Sequence, residues 1–176
     1  DGVALDDASA LGDIARTRSI EFKHEPGNPS PVGVSIAGSD VTLAIRTAEI
    51  DRAVSPVSAV PEVREALVAQ QQRIGCGGDY VVEGRDIGTV VFPNADYKFF
   101  VTASPEVRAQ RRYDELMRKE GHANFDEILE NLKRRDFLDS TRSESPLRQA
   151  DDAILVDTSN MTREGQLEWI LRKIQK

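Results

Sequence analysis

Cysteine occurs once in these 176 residues, at Cys76, so no disulfide can form within the chain. That scarcity fits a reducing compartment, and the cytoplasm is the expected setting. Histidine occurs twice, as His24 and His122, far apart and with no second ligand-type residue beside either, so no transition-metal site is expected. The same scarcity leaves nothing to build a Ser-His-Asp hydrolase on. No apolar run approaches the roughly 20 residues of a membrane-spanning helix, and no membrane partner is expected. Positive charge is also short. The formal net charge is -7, which argues against a nucleic-acid polymer as partner, because such proteins carry a positive stripe.

What is present instead is arginine, 17 residues of it against 6 Lys. Eight of these arginines fall between Arg108 and Arg148. Arginine offers a planar fork of donors matched to phosphate and carboxylate, whereas lysine is a point charge. An acidic chain with one local arginine cluster points to a small phosphorylated ligand. Apolar residues make up 39% of the chain, enough for a real core at this length, and the size suits one domain with a small inserted lobe.

Short apolar runs at 79–84 (DYVVEG), 97–103 (YKFFVTA) and 153–158 (AILVDT) read as buried parallel strands. Helical patterns lie between or after them. The segment 61–74 opens with Pro61, and 104–120 opens with Ser104 as N-cap and Pro105 just inside. In 124–142 an apolar stripe runs through Phe125, Ile128, Leu129 and Leu132. In 162–174 Thr162 is the cap and Leu167, Ile170, Leu171 and Ile174 form the stripe. Strands alternating with helices predict an α/β fold with a parallel sheet. Residues 20–46 differ. Pro, Gly, Ser and Asn separate short alternating segments, which predicts a small antiparallel β insert with turns at PGNP (26–29) and AGSD (37–40).

The chemistry is expected where the run VVEGRDIGTVVFP (81–93) leaves its strand, since open α/β sheets bind ligands beyond the carboxyl ends of their strands. Gly84 lets the backbone turn, and Arg85 and Asp86 follow at once; taken alone, they read equally well as a salt-bridged turn. Extending the apolar stripe of 124–142 by one helical period reaches Arg135, then Asp139, then Arg142. Charges that continue an apolar stripe must be paired or bind something. They form either an ion-pair network or a site with forks for phosphate oxygens and a carboxylate for a sugar hydroxyl. On the preceding helix Arg108, Arg111 and Arg112 crowd one side. Like charges at that spacing repel unless an anion lies between them, although Glu115 could pair with one of them. Two arginine-rich helices joined by the polar tip KEGHAN (119–124) would make a lid that closes on phosphates. These features together favour phosphoryl transfer, in which catalysis is mostly positioning and charge stabilisation.

Three segments carry a family resemblance. EGRDIGTVVFPNADYKFFVTASPEVRAQRR (83–112), IRTAEIDRAVSPVSAVPEVREAL (45–67) and LKRRDFLDSTRSESPL (132–147) resemble the cytidylate kinases, bacterial CMP/dCMP kinases of the nucleoside monophosphate kinase fold. The match runs from about residue 40 to the end and is weakest over residues 1–19. The resemblance implies a parallel-sheet P-loop nucleoside monophosphate kinase fold with a helical lid. Residues 1–19, 47–104 and 143–176 would form the core, 20–46 the monophosphate-binding insert, and 105–142 a helix–lid–helix.

Carried over by position, the resemblance implies that Ser55, Arg64 and Asp86 contact the cytosine ring. Arg85 and Arg142 would hold the CMP phosphate, and Arg135 and Asp139 would meet the ribose. Arg85, Arg135 and Arg142 would carry the catalysis. Arg108 and Arg112 would close on the phosphates of ATP, and DTSNMT (157–162) would lie near the adenine. The implied reaction turns ATP and CMP or dCMP into ADP and CDP or dCDP, with Mg²⁺, in a monomer. The family's opening strand and its G-x-x-x-x-G-K-[ST] loop have no counterpart here, so the chain is expected to start some tens of residues into the family's length and to be inactive by itself. The alternatives are a kinase for another monophosphate, such as UMP, or a catalytically inactive nucleotide-binding domain.

Overall fold

The computed structural model describes residues 2–23, 25–26 and 33–175, with the side chains of Ala48, Asp51 and Ser55 outside that description. The chain divides into two compact units, Asp1–Val81 and Val82–Lys176.

In the first unit, Asp7 caps helix α1 (Ala8–Thr17) by accepting from the Ala10 N–H at 3.0 Å. Helix α3 (Pro61–Gly75) starts as expected with Pro61 in its first turn, and α1 packs along it. Gly12 is buried at that contact, and a Cβ there would lie 2.6 Å from Glu62 Cβ. Buried Gln70 stitches the pair to the segment that leaves α1. Its amide donates to Ala15 O at 2.7 Å and Arg18 O at 3.0 Å, and its Oε1 accepts from the Ile20 N–H at 3.1 Å. Three chain segments thus share one side chain that leaves no polar atom of its amide idle.

The insert forms as expected. Strands β1 (Ile20–Lys23), β2 (Gly33–Ile36) and β3 (Ser39–Asp40) make an antiparallel sheet with Ile20 opposite Ile36 and Ser35 opposite Asp40. Ala37 and Gly38, with φ of 49° and 80°, form the tight turn between β2 and β3. Positive φ at both central residues is what a two-residue hairpin with right-handed twist demands. Of the other expected turn, residues 27–29 lie outside the described residues. The sequence did not announce the next elements, a 3-10 turn at Ala44–Arg46 and helix α2 (Ala48–Ser58), capped by Thr47.

In the second unit, β4 (Phe99–Thr102) pairs in parallel with β5 (Ile154–Asp157), Phe99 opposite Ile154 and Thr102 opposite Asp157. The connection runs through α4 (Pro105–Glu120) and α5 (Phe125–Thr141), which pack on each other, and α6 (Arg163–Ile174) follows β5. Every expected cap is present: Ser104 Oγ accepts from Val107 N–H at 3.3 Å, and Thr162 Oγ1 from Gly165 N–H at 3.1 Å. Val91, Ala103, Ala109 and Val156 are buried, and Trp169 meets Phe99 edge to face at 6.4 Å.

Residues 79–84, expected as a strand, are not one. Extended backbone is held by a neighbour's ladder of hydrogen bonds, and among the described residues no strand pairs with this segment. Val81 is fully exposed as a result, and Tyr80 and Val82 are also exposed.

The close approach of α1 and α3 sets up a test. Alanine normally improves a helix interior over glycine by up to about 1 kcal/mol. At Gly12 the added carbon meets Glu62, and overpacking costs roughly 1–3 kcal/mol. Gly12→Ala is therefore expected to lower stability in urea unfolding, and a stabilised variant would show that the helices separate freely there.

Candidate functional site

The turn that carries Arg85 and Asp86 is tightly built. A Cβ at Gly84 would come within 2.8 Å of Ile87 Cγ1, so glycine is what lets the chain fold back on itself here. Asp86 is buried, and its carbonyl accepts from the N–H groups of Thr89, Val90 and Val91 at 3.3, 2.9 and 3.2 Å. These bonds open a short π-helical turn, Ile87–Val91, closed by Phe92 N–H to Ile87 O at 2.7 Å. Such turns are rare and recur at functional sites.

Helix α5 meets this turn. Arg85 Nε donates to Asp139 Oδ2 at 3.0 Å across 54 residues of sequence. Arg135 Nε lies 4.0 Å from the same oxygen, one helical turn away. Asp139 is the most sheltered of the three, 17% exposed against 46% for Arg85 and 61% for Arg135. The inward stripe of α5 therefore runs from Leu132 through Asp136 to Asp139, not through Arg135 as the sequence suggested. A period of 3.6 allows a step of three or four, and packing selects four.

Asp136, which sequence reasoning passed over, holds Arg108 on α4. Arg108 Nη1 donates to Asp136 Oδ1 at 2.9 Å, and Nη2 donates to Oδ2, a bidentate fork. The Arg108 hydrogen bond, more than any other influence, holds the Asp136 carboxyl below its ordinary range, and the charges of Arg85 and Arg135 act in the same direction. The same bond raises Arg108. Arg85, Arg108 and Arg135 thus surround Asp136 and Asp139.

The remaining arginines are otherwise engaged. Arg111 donates to Thr158 O at 2.6 Å, Thr158 Oγ1 at 3.2 Å and Met161 O at 3.4 Å, which fastens α4 to the turn after β5. Arg112 bonds Glu115 at 2.7 Å, one turn along its own helix. Lys119 and then Arg112 hold Glu115 down to about 2. Arg142 turns to the chain beyond α5, with Nε donating to Ser145 O at 2.8 Å. Arg64 is half-buried in the first turns of α3, and Ser55 falls in α2 with its side chain outside the described residues.

Between the sheet and helices α4 and α5 lies a cavity of about 490 Å³, lined among others by Thr102, Ala103, Arg108, Arg111, Asp136 and Thr158. It stands at the carboxyl ends of β4 and β5, where open α/β sheets take ligands. Ser159 braces that edge: its Oγ donates to Asp157 Oδ1 at 2.6 Å and accepts from the Ser104 N–H at 2.9 Å. A cavity floored by strand ends and walled by arginine is suited to polyphosphate.

The family model described as cytidylate kinase matches residues 1–176. The cytidylate kinase of Bacteroides fragilis is 51% identical over 166 residues, covering 94% of this chain and 70% of the relative. That of Parabacteroides distasonis is 52% identical over 158 residues, covering 90% and 68%. The cytidylate kinase of Caldanaerobacter subterraneus subsp. tengcongensis is 43% identical over 176 residues, covering 100% and 75%.

Thr158 tests how firmly the cavity's edge is tied. It is buried, its hydroxyl donates to Thr102 O at 2.9 Å, and it accepts from Arg111. Thr158→Val keeps the shape and leaves the Thr102 carbonyl with only the Thr158 N–H at 2.8 Å, so losing the hydroxyl should cost about 0.5–1.5 kcal/mol in urea unfolding. A loss near zero would mean that the Thr158 N–H alone satisfies this carbonyl and that the hydroxyl does not tie the edge.

Proposed function

The chain belongs to the cytidylate kinase family, and from that premise we propose that it serves phosphoryl transfer from ATP to CMP or dCMP. In the reaction an oxygen of the CMP phosphate bonds to the γ-phosphorus of ATP, the bond from that phosphorus to the β–γ bridging oxygen breaks, and ADP and CDP leave. The observation that carries the reading is the Arg85–Asp139 contact, which joins the turn after Gly84 to the inward face of α5 with Arg135 beside it. Family membership supplies the chemistry that this arrangement serves.

In this reading Arg85 and Arg142 hold the CMP phosphate, Arg135 and Asp139 take the ribose, and Ser55, Arg64 and Asp86 take the cytosine. Arg108 and Arg112 close on the ATP phosphates from the helix–lid–helix of residues 105–142. No general base is needed. The arginines hold acceptor and donor in line and neutralise the charge that spreads over the transferred group. Mg²⁺, when bound, neutralises charge between the β- and γ-phosphates. Among the described residues no group of three or more His, Cys, Asp or Glu could hold a metal. No helix among the described residues is long and apolar enough to cross a membrane. Independently of that, the reading proposes a monomer that works in cytoplasmic pyrimidine nucleotide metabolism.

Coupled ADP release with ATP and Mg²⁺ tests the proposal in the full-length protein. A site built on hydrogen bonds to a pyrimidine edge rejects analogues that leave those groups unpaired. CMP should therefore exceed AMP and GMP by orders of magnitude in kcat/KM, and UMP by a smaller margin. Equal turnover of AMP and CMP would end the assignment. The 176 residues contain no G-x-x-x-x-G-K-[ST] run, and Val101 and Leu155 on the parallel pair are exposed. Expressed as these residues alone, the chain should be poorly soluble and give no CMP-dependent ADP. Normal turnover from it would show that the γ-phosphate is held by other groups.

A further inference from the structure

We propose that Asp136 is a positioning residue for the phosphate-binding arginine of the lid. Its carboxylate fixes the plane of the Arg108 guanidinium at the cavity wall, so that the donors it does not use meet a polyphosphate. The inference rests on the reading of Arg108 as an ATP contact and adds a residue to it.

A guanidinium carries five N–H groups in a fixed fork. A bidentate carboxylate takes two of them, one from each terminal nitrogen, as Asp136 does here. The Nε–H and one N–H on each terminal nitrogen remain. Nε of Arg108 is buried and makes no hydrogen bond among the described residues. A buried donor without a partner is costly, and such atoms are few in folded proteins. The cavity that Arg108 and Asp136 both line adjoins this fork, and the terminal N–H groups that Asp136 leaves unused are the donors offered to an anion oxygen there.

The other arginines of α4 show why the fork that is set in advance belongs to Arg108. Arg111 is committed to the carbonyls of Thr158 and Met161. Arg112 pairs with Glu115 on its own exposed face, in a contact that solvent weakens. Arg108 is held across the helix pair, from 28 residues away, by a carboxylate on the inward stripe of α5. The grip removes rotamer freedom before any ligand arrives, and a pre-set fork loses less entropy on binding. Arg85 and Arg135 also act on Asp136 and help keep it charged.

The test is a cycle of Asp136→Asn, Arg108→Lys and the double variant in the full-length protein. ATP with Mg²⁺, inorganic tripolyphosphate and CMP are titrated separately by calorimetry, beside thermal melts. Asp136→Asn should weaken ATP and tripolyphosphate about tenfold and leave CMP unchanged. Asp136→Glu should recover part of the loss. In the Arg108→Lys background, where no fork remains to be aligned, Asp136→Asn should have no further effect. Equal weakening of ATP and CMP, additive losses, or a lowered melt with ATP affinity intact would each reduce Asp136 to a tie between α4 and α5. A wild type that binds ATP and tripolyphosphate but turns over no CMP would defeat the kinase reading alone. A wild type that binds neither would defeat this inference.

Discussion

Arginines can be gathered at the ends of strands only if something negative keeps them from driving one another apart. Here Asp136 and Asp139 do this, three residues apart on one face of α5, with Arg85, Arg108 and Arg135 around them. In a partly desolvated cleft the repulsion among like charges is large, and so is the cost of leaving any of them unpaired. The carboxylates let the protein carry these forks in a fixed arrangement without a ligand. In the proposed reading, a phosphate entering the cluster would meet donors already aimed.

The position of α5 decides whether those carboxylates reach their partners. Helix α4 ends at Gly121, whose φ of 76° turns the chain out of the helix. Asn124 then starts α5 by accepting from the N–H groups of Asp126 and Glu127 at 3.0 and 3.3 Å. Tyr113 and Phe125 meet edge to face at 6.4 Å just inside that turn. This short tip sets the register of one helix on the other, and the register puts Asp136 opposite Arg108. At the other end of α4, Arg111 fastens the helix to the turn after β5, and Ser159 joins that turn to Ser104. The arginines of α4 are thus referenced to the strand ends rather than to a loose loop, as a precise site requires.

Local features were legible in the sequence, and partnered ones were not. Ser104 with Pro105, Pro61 and Thr162 announced their helices because a cap acts within one turn of itself. Strands 99–102 and 154–157 stood out as apolar runs and are paired. The equally apolar 79–84 failed because a strand exists only with a neighbour. The charged continuation of the α5 stripe was legible, but its phase was not. Leu132 can be followed by Arg135 or Asp136 on periodicity alone, and only the packing of α5 on α4 brings Asp136 inward. The Arg108–Asp136 and Arg111–Thr158 contacts join residues 28 and 47 apart, and no local pattern marks them. The apolar residues 87–91 do not declare a π-helical turn, since hydrophobicity does not distinguish one from a strand.

Asp139 is central to the proposed reading, in which it serves a ligand and does more than balance Arg85. A carboxylate that accepts from a sugar hydroxyl contributes about 1.5–3 kcal/mol, or roughly ten- to a hundredfold in affinity. Calorimetric titration of CMP and of free cytosine into the wild type and Asp139→Ala, with a melt to establish folding, measures it most directly. CMP binding should fall more than about tenfold while any binding of cytosine is unchanged. Equal CMP affinity in a folded Asp139→Ala protein would contradict that role and leave the Arg85–Asp139 pair as a structural contact.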